Sequence, residues 1–240
     1  MRVPQRVALL GSMVLLTACG PADGMITTGE DAVLETNDQK ASYGIGLNIG
    51  AQLVETKNRL DRAAFLRGIE DAIQEADPVL DQAELQEVLA AFAEDMQAEA
   101  EAEYTAEADE NLAAGEAYQA ENGAKAGVTT TESGLQYEVL RQGDGAMPGL
   151  EDDVRLHYRG TLVDGEQFDS SYDRGEPAQF NVSQVVPGFT ESLMLMAVGS
   201  HFRVVLPYDL AYGPQGTGRG IGPNSTLVFE IELLEIVGGG

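Results

Sequence analysis

Hydrophobic positions along the chain change their period twice. From Asn37 to about Ala120 they follow a helical rhythm. Tyr43, Leu47, Ala51 and Val54 fall on one helical face, as do Phe65, Ile69 and Ile73. Asp61 stands where it can cap the second of these segments. A third segment opens after Pro78, where Asp81 and Glu84 have the spacing of a capping box. Its apolar positions are Leu85, Val88, Leu89, Phe92 and Met96. Beyond Met96 the run AEAEAEYTAEADENLAAGEAYQA forms helix readily but carries almost no apolar stripe. The pattern therefore predicts a continuous helix from Asp81 to Ala120, about 60 Å long, with its far half a solvated arm. The two shorter helices have apolar faces but too little chain to build a core. They call for a partner copy, hence a dimer. Gly44, Gly46 and Gly50 on the first helix would allow close helix approach.

From Val128 the period becomes two. GLQYEVL alternates as a strand, and VRLHYRGTLVDGEQFDSS reads as strand, Asp-Gly turn, strand. RVVLP and STLVFEIELLEIV are β-branched runs of strand length, and ESLMLMAVG is the one helical segment between them. The fold class is α+β: an antiparallel sheet wrapped around a short helix, preceded by an all-α domain with a long connecting helix.

The N-terminus follows neither pattern. Arg2 and Arg6 precede the apolar run VALLGSMVLL, which is too short to span a membrane, and LTAC ends it at Cys19. This order is that of an export signal, and its Leu-x-Ala-Cys ending resembles a bacterial lipoprotein signal with Cys19 as the lipidated residue. Cys19 is the only cysteine in the chain, so it has no partner for an internal disulfide. Gly20 rather than Asp follows it, which points to the outer membrane. The expected organisation is a signal peptide at 1–18, a flexible tether at 19–36, a helical dimerisation domain with its linker helix at 37–122, and the β-rich domain at 123–240.

The formal net charge of −26 opposes nucleic acid and anionic lipid surfaces as partners. The glycines of YGPQGTGRGIGP lack the lysine of a phosphate loop, and no helix follows them. His157 reads as a packed strand residue and His201 as a solvated loop-end residue. Neither QVVPGF nor YGPQG has the Ser-His, Cys-His or paired-carboxylate look of a catalytic site.

Three segments carry a more specific signal: VRLHYRGTLVDGEQFDSSYDRGEP, QVVPGFTESLMLMAVGS and LAYGPQGTGRGIGPNSTLVFEIELL. In order and spacing they resemble the FKBP-type peptidyl-prolyl cis-trans isomerases, over about Val128 to Val237. The helical part, with NDQKASYGIGLNIGAQL, is similar to that of the macrophage infectivity potentiator and FkpA-like group.

The resemblance implies an apolar bowl that holds a proline ring. Val185 and Val186 would form its wall and Phe189 its floor, with Tyr158, Phe168, Tyr212, Ile221 and Phe229 lining the rest. Asp169 and Arg174 would bring polar groups to the rim. Asp169, the hydroxyls of Tyr158 and Tyr212, and the backbone N–H of Ile221 would be the polar contacts of a bound peptide. In the family the floor is usually Trp, and Ala178 stands where eukaryotic relatives often have an aromatic. No cofactor and no metal are implied. The expected function is rotation of X-Pro bonds in exported polypeptides, assisting their folding, by a lipid-anchored homodimer. The alternative is a dimeric periplasmic chaperone or surface binding module with a vestigial isomerase pocket.

Overall fold

The computed structural model describes residues 32–54, 56, 58–218 and 220–239. Cys19, the export signal and most of the tether lie outside the described residues. The chain divides after Pro78 into two compact units.

In the first unit, α1 (Asn37–Gln52) and α2 (Arg62–Ile73) each start at a side-chain cap. Thr36 accepts from the Gln39 N–H while the Gln39 side chain accepts from the Thr36 N–H, a capping box that satisfies two orphan donors. Asp61 accepts from the Ala64 N–H at 2.9 Å, as its position suggested. Neither helix has a buried residue. Tyr43 and Leu47 are more than half exposed and, with Gly46, Gly50 and Ala51, line an open apolar groove on α1.

The second unit begins with α3 (Gln82–Gly123), capped by Asp81, whose carboxylate accepts from the Glu84 N–H at 2.9 Å. At 42 residues it is about 63 Å long. The sequence groups this helix with α1 and α2, whereas the compact units group it with the β-rich part. The C-terminal half of α3 is not a solvated arm. Ala108, Gly115 and Asn122, seven residues apart, are buried. A Cβ on Gly115 would overlap the Thr226 hydroxyl, so only glycine lets the helix lie this close. Asn122 Nδ2 donates to Gln136 Oε1 at 2.9 Å, and Gln136 Nε2 donates to the Gln119 carbonyl at 2.8 Å. This seam of small and polar residues holds by close approach and satisfied hydrogen bonds, which a search for large apolar residues misses.

The sheet that follows is antiparallel throughout. Its strands are β1 (Val128–Thr130), β2 (Gln136–Arg141), β3 (Asp152–Leu162), β4 (Gln167–Ser170), β5 (Ala178–Asn181), β6 (His201–Leu206) and β7 (Leu227–Gly239). Their order is β1-β2-β6-β7-β3-β4, with β5 also pairing with β3. The long β3 and β7 run side by side from Asp152↔Gly239 to Leu162↔Leu227. The Asp-Gly turn stands where the sequence puts it, with Gly165 at φ 93°.

Alternation sorts the two faces. Val154, Leu156 and Tyr158 of β3 and Leu227, Phe229, Ile231 and Leu233 of β7 point into the core. The opposite face carries cross-strand ion pairs, among them Arg159–Glu230, Arg203–Glu230, Arg203–Glu138 and Arg141–Glu232. These side chains are partly exposed, so each pair contributes about 0–1 kcal/mol and mainly fixes register.

Against the inner face packs α5 (Pro187–Met194). The sequence sets this helix some four residues later. Pro187 starts it instead, because proline at the first helical position is already in helical geometry and gives up an N–H that has no partner there. Gly188 lets α5 close on the sheet, since a Cβ there would overlap Leu206. Phe189 and Leu193 are buried in the core. A one-turn helix, α4 (Ser171–Arg174), follows β4.

Candidate active site

One cavity of about 320 Å³ gathers side chains from seven separate parts of the second unit. Tyr158 comes from β3, Phe168 and Asp169 from β4, Phe180 from β5, and Gln184, Val185 and Val186 from the turn before α5. Phe189 comes from α5, Tyr212 from the β6–β7 connection, and Phe229 from β7. Eight of these ten are the residues expected from the sequence. Phe180 and Gln184 are additions.

The floor is an aromatic cluster. Phe189 and Phe229 meet edge to face at 5.2 Å between centroids, Phe168 and Phe229 at 5.6 Å, Tyr158 and Phe180 at 5.7 Å, and Phe180 and Phe189 at 6.1 Å. Such edge-on contacts suit the ring quadrupoles and hold each face fixed. Phe180 therefore shares the floor with Phe189. The alternation of β5 points Ala178 and Phe180 to the same side, so the sequence signal was there, but on only four residues.

The rim is polar. The Tyr158 hydroxyl donates to Asp169 Oδ2, Arg174 Nη1 donates to Asp169 Oδ1, and Arg174 Nη2 donates to the Tyr158 hydroxyl oxygen at 3.0 Å. The guanidinium also lies 5.4 Å from the Tyr158 ring centre. The Ser170 cap and the turn of α4 bring Arg174 back over Asp169. Ser171 pins the same region: its hydroxyl accepts from the Tyr158 N–H at 2.9 Å and lies 3.0 Å from His157 Nδ1. His157 stacks on Tyr172 at 4.6 Å, a packed strand residue as expected. His201 is not a loop-end residue. It starts β6 opposite Glu232, and its Nε2 is shielded without a hydrogen-bond partner among the described residues.

Ile221 is placed differently from the other expected residues. Its side chain is buried in the core and lines a separate cavity facing α3, and its carbonyl accepts from the Thr217 N–H at 2.9 Å.

Burial is the largest single influence on Asp169 and pushes its pKa up. The hydrogen bonds from Tyr158 and Arg174, with the Arg174 charge, outweigh it and hold the carboxyl below its ordinary 3.8. Burial, helped by the bond to Asp169, raises Tyr158 above its ordinary 10.0 against the pull of Arg174. A depressed carboxylate pKa contributes stability above the unfolded value, lost as pH falls through the folded one. A raised tyrosine pKa contributes below its unfolded value and is lost as pH rises through the folded one. The ionised Asp169, neutral Tyr158 and Arg174 cation thus persist together between those limits. Catalysed prolyl exchange is expected to be flat from about pH 5 to about pH 9 and to fall only below the ordinary carboxylate range or above the ordinary tyrosine range. A pH–rate profile on a short X-Pro peptide checks this.

An aromatic bowl with a fixed polar rim can hold a cyclic apolar side chain and orient the amide attached to it. Comparison with known proteins agrees. Residues 145–234 match the model of the FKBP-type peptidyl-prolyl cis-trans isomerases, and residues 38–139 match that of the domain amino terminal to them. The chain is 40% identical to the outer membrane protein MIP of Legionella longbeachae, over 93% of this chain and 97% of that one. It is 46% identical to the FKBP-type 22 kDa peptidyl-prolyl cis-trans isomerase of Escherichia coli, over 85% and 97%. The crystal structure of FkpA from Escherichia coli superposes with a TM-score of 0.65 at 36% identity, covering 85% of this chain and 98% of that one.

The chain belongs to the FKBP-type peptidyl-prolyl isomerases.

The chemistry asked of an isomerase matches the bowl. Rotation about a peptide bond meets a barrier of about 18–20 kcal/mol because resonance makes the C–N bond partly double. No bond is broken, so no nucleophile is needed. The twisted transition state has lost its resonance and is less charge-separated than the planar amide, so a dry aromatic surround disfavours the planar form more.

Proposed function

We propose that this isomerase holds the proline ring of its substrate in the aromatic cavity, with Val185 and Val186 as the wall and Phe189 as the floor. Tyr158, Phe168, Tyr212 and Phe229 complete the lining. Asp169 and Arg174 orient the amide at the rim, and the hydroxyls of Tyr158 and Tyr212 and the N–H of Ile221 are further polar contacts. The observation that carries this reading is the convergence of Tyr158, Asp169 and Arg174 into one hydrogen-bonded rim over a floor of phenylalanines. Methyl resonances test it: adding an X-Pro peptide should shift Val185 and Val186 and leave the Val79 and Val88 methyls of α3 and its approach unmoved. Shifts confined to α3 would overturn it.

The substrates in this reading are proline-containing segments of exported proteins, turned over while they fold. The protein is tethered by a lipid on Cys19, at the outer membrane, as a relative named outer membrane protein MIP suggests. Two copies pair through α1 and α2. Support for the pairing comes from the apolar groove of Tyr43, Leu47 and Ala51, which no described residue covers, and from Gly44, Gly46 and Gly50, whose Cβ positions face open space. Leu47→Glu is expected to sediment as a monomer where the parent sediments as a dimer, with peptide turnover unchanged. A dimeric variant would contradict the pairing. A chaperone role for α1 and α2 is separable by deleting residues 1–78. That cut leaves α3 on its domain, so turnover of short peptides should persist while suppression of client aggregation falls.

A further inference from the structure

Residues 207–226, which join β6 to β7, carry Tyr212 into the cavity. Much of this segment is glycine-rich backbone. Gly213, Gly216, Gly218 and Gly220 have positive φ, and so does Asn224 at 53°. Among the described residues four backbone bonds tie the segment to itself: Leu210 N–H to the Pro207 carbonyl and Ala211 N–H to the Tyr208 carbonyl in its first turn, then Thr217 N–H to the Ile221 carbonyl at 2.9 Å and Asn224 N–H to the Gly213 carbonyl at 3.3 Å. Glycine-rich backbone gives up much conformational freedom on ordering, so support from outside the loop helps to fix it.

That support is α3. The Tyr104 hydroxyl donates to the Pro214 carbonyl at 2.5 Å, and Asn111 Nδ2 donates to the Pro223 carbonyl at 2.9 Å. Asn224 Nδ2 donates to the Ala108 carbonyl at 3.3 Å, and Gln119 Nε2 donates to the Thr226 hydroxyl at 3.1 Å. These four bonds grip the loop along about 22 Å of helix, from Tyr104 to Gln119. The contact is close enough that a Cβ on Gly222 would overlap the Glu107 carboxylate. The inner side of the loop lines the substrate cavity and its outer side is bonded to the helix.

We propose that Tyr104 and Asn111 are positioning residues for the isomerase reaction. Through the loop they hold Tyr212 where it meets the substrate, and α3 is the rigid backing of one wall of the active site. This rests on the reading of Tyr212 as a substrate contact. It makes the state of α3 between Tyr104 and Gln119 a determinant of substrate affinity.

The test uses the chain without residues 1–19. Tyr104→Phe combined with Asn111→Ala is compared with the parent and with Tyr212→Ala, by kcat and KM on an X-Pro peptide and by hydrogen exchange of loop amides. Loss of two neutral hydrogen bonds should lower kcat/KM by about five- to tenfold. The fall should appear in KM with kcat nearly kept, because a smaller binding-competent fraction raises the apparent dissociation constant by its inverse. Loop amides should exchange faster. Faster loop exchange with kcat and KM unchanged, while Tyr212→Ala is impaired, would overturn the proposal. So would unchanged exchange in the double variant. An unimpaired Tyr212→Ala would instead sink the reading of the site on which it stands.

Discussion

Replacing Gly160 with alanine is expected to remove most of the isomerase activity from a chain that still folds. Gly160 lies on β3 between Phe229 of β7 and Asp169 of β4. Its φ is not in the left-handed region, so the position needs space and not backbone freedom. A Cβ there would sit 2.5 Å from Phe168 Cζ and 2.8 Å from Phe229 Cε1. Aromatic rings cannot bend away as a lysine tip can, and both rings border the cavity. Alanine drives them into the space where the proline ring is to sit. Overpacking of this kind costs about 1–3 kcal/mol, a fraction of the stability of a folded domain. A loss of at least about tenfold in kcat/KM corresponds to about 1.4 kcal/mol of transition-state stabilisation. Thermal melts and peptide turnover measured together separate the two effects. A variant as active as the parent would mean that those two rings do not shape the site.

Phe189→Ala is expected to damage both stability and turnover, for the opposite reason. Phe189 is 5% exposed and packs edge-on against Tyr158, Phe180 and Phe229. Truncating a buried phenylalanine typically costs about 3–5 kcal/mol, because the void fills only partly. Here the void would open into the substrate cavity and let water reach the amide. Turnover should fall by at least about tenfold even at a temperature where the variant remains folded. Phe189→Leu keeps most of the volume and should recover stability further than it recovers rate. If the alanine variant keeps its rate, desolvation by the floor is not part of catalysis. The family resemblance read from the sequence implies Trp at this position, and Phe189 is a smaller floor. Phe180 stands beside it, so two phenylalanines close the base of the bowl.

The sheet was legible because its strands bury one face. Alternation along β3 and β7 puts Tyr158 and Phe229 inward and the arginine–glutamate pairs outward, and both sets are plain in the sequence. The caps at Asp61 and Asp81 were legible for a similar reason, since a carboxylate just ahead of a helical run has few other uses. What escaped was short or unusual in composition. The four residues of β5 give too few alternations to single out Phe180. The seam of α3 escaped because Ala108, Gly115 and Asn122 are small or polar, and a period of seven in such residues does not register as an apolar stripe. The start of α5 at Pro187 escaped because a proline and a glycine at the head of a helix add nothing to an apolar periodicity. Gly160 was invisible for want of a side chain, although the space it leaves is what the two rings occupy. In each case the missing information is a contact between segments distant in sequence.

The most direct test of the central claim is the rate of cis/trans exchange of a short X-Pro peptide, followed by NMR, with the chain lacking residues 1–19. Tyr158→Ala and Asp169→Ala are run beside the parent, with folding checked by their amide spectra. The parent should speed an exchange that alone takes tens to hundreds of seconds, and both folded variants should lose most of that acceleration. Full acceleration by both variants would place the chemistry outside the aromatic cavity and contradict the account.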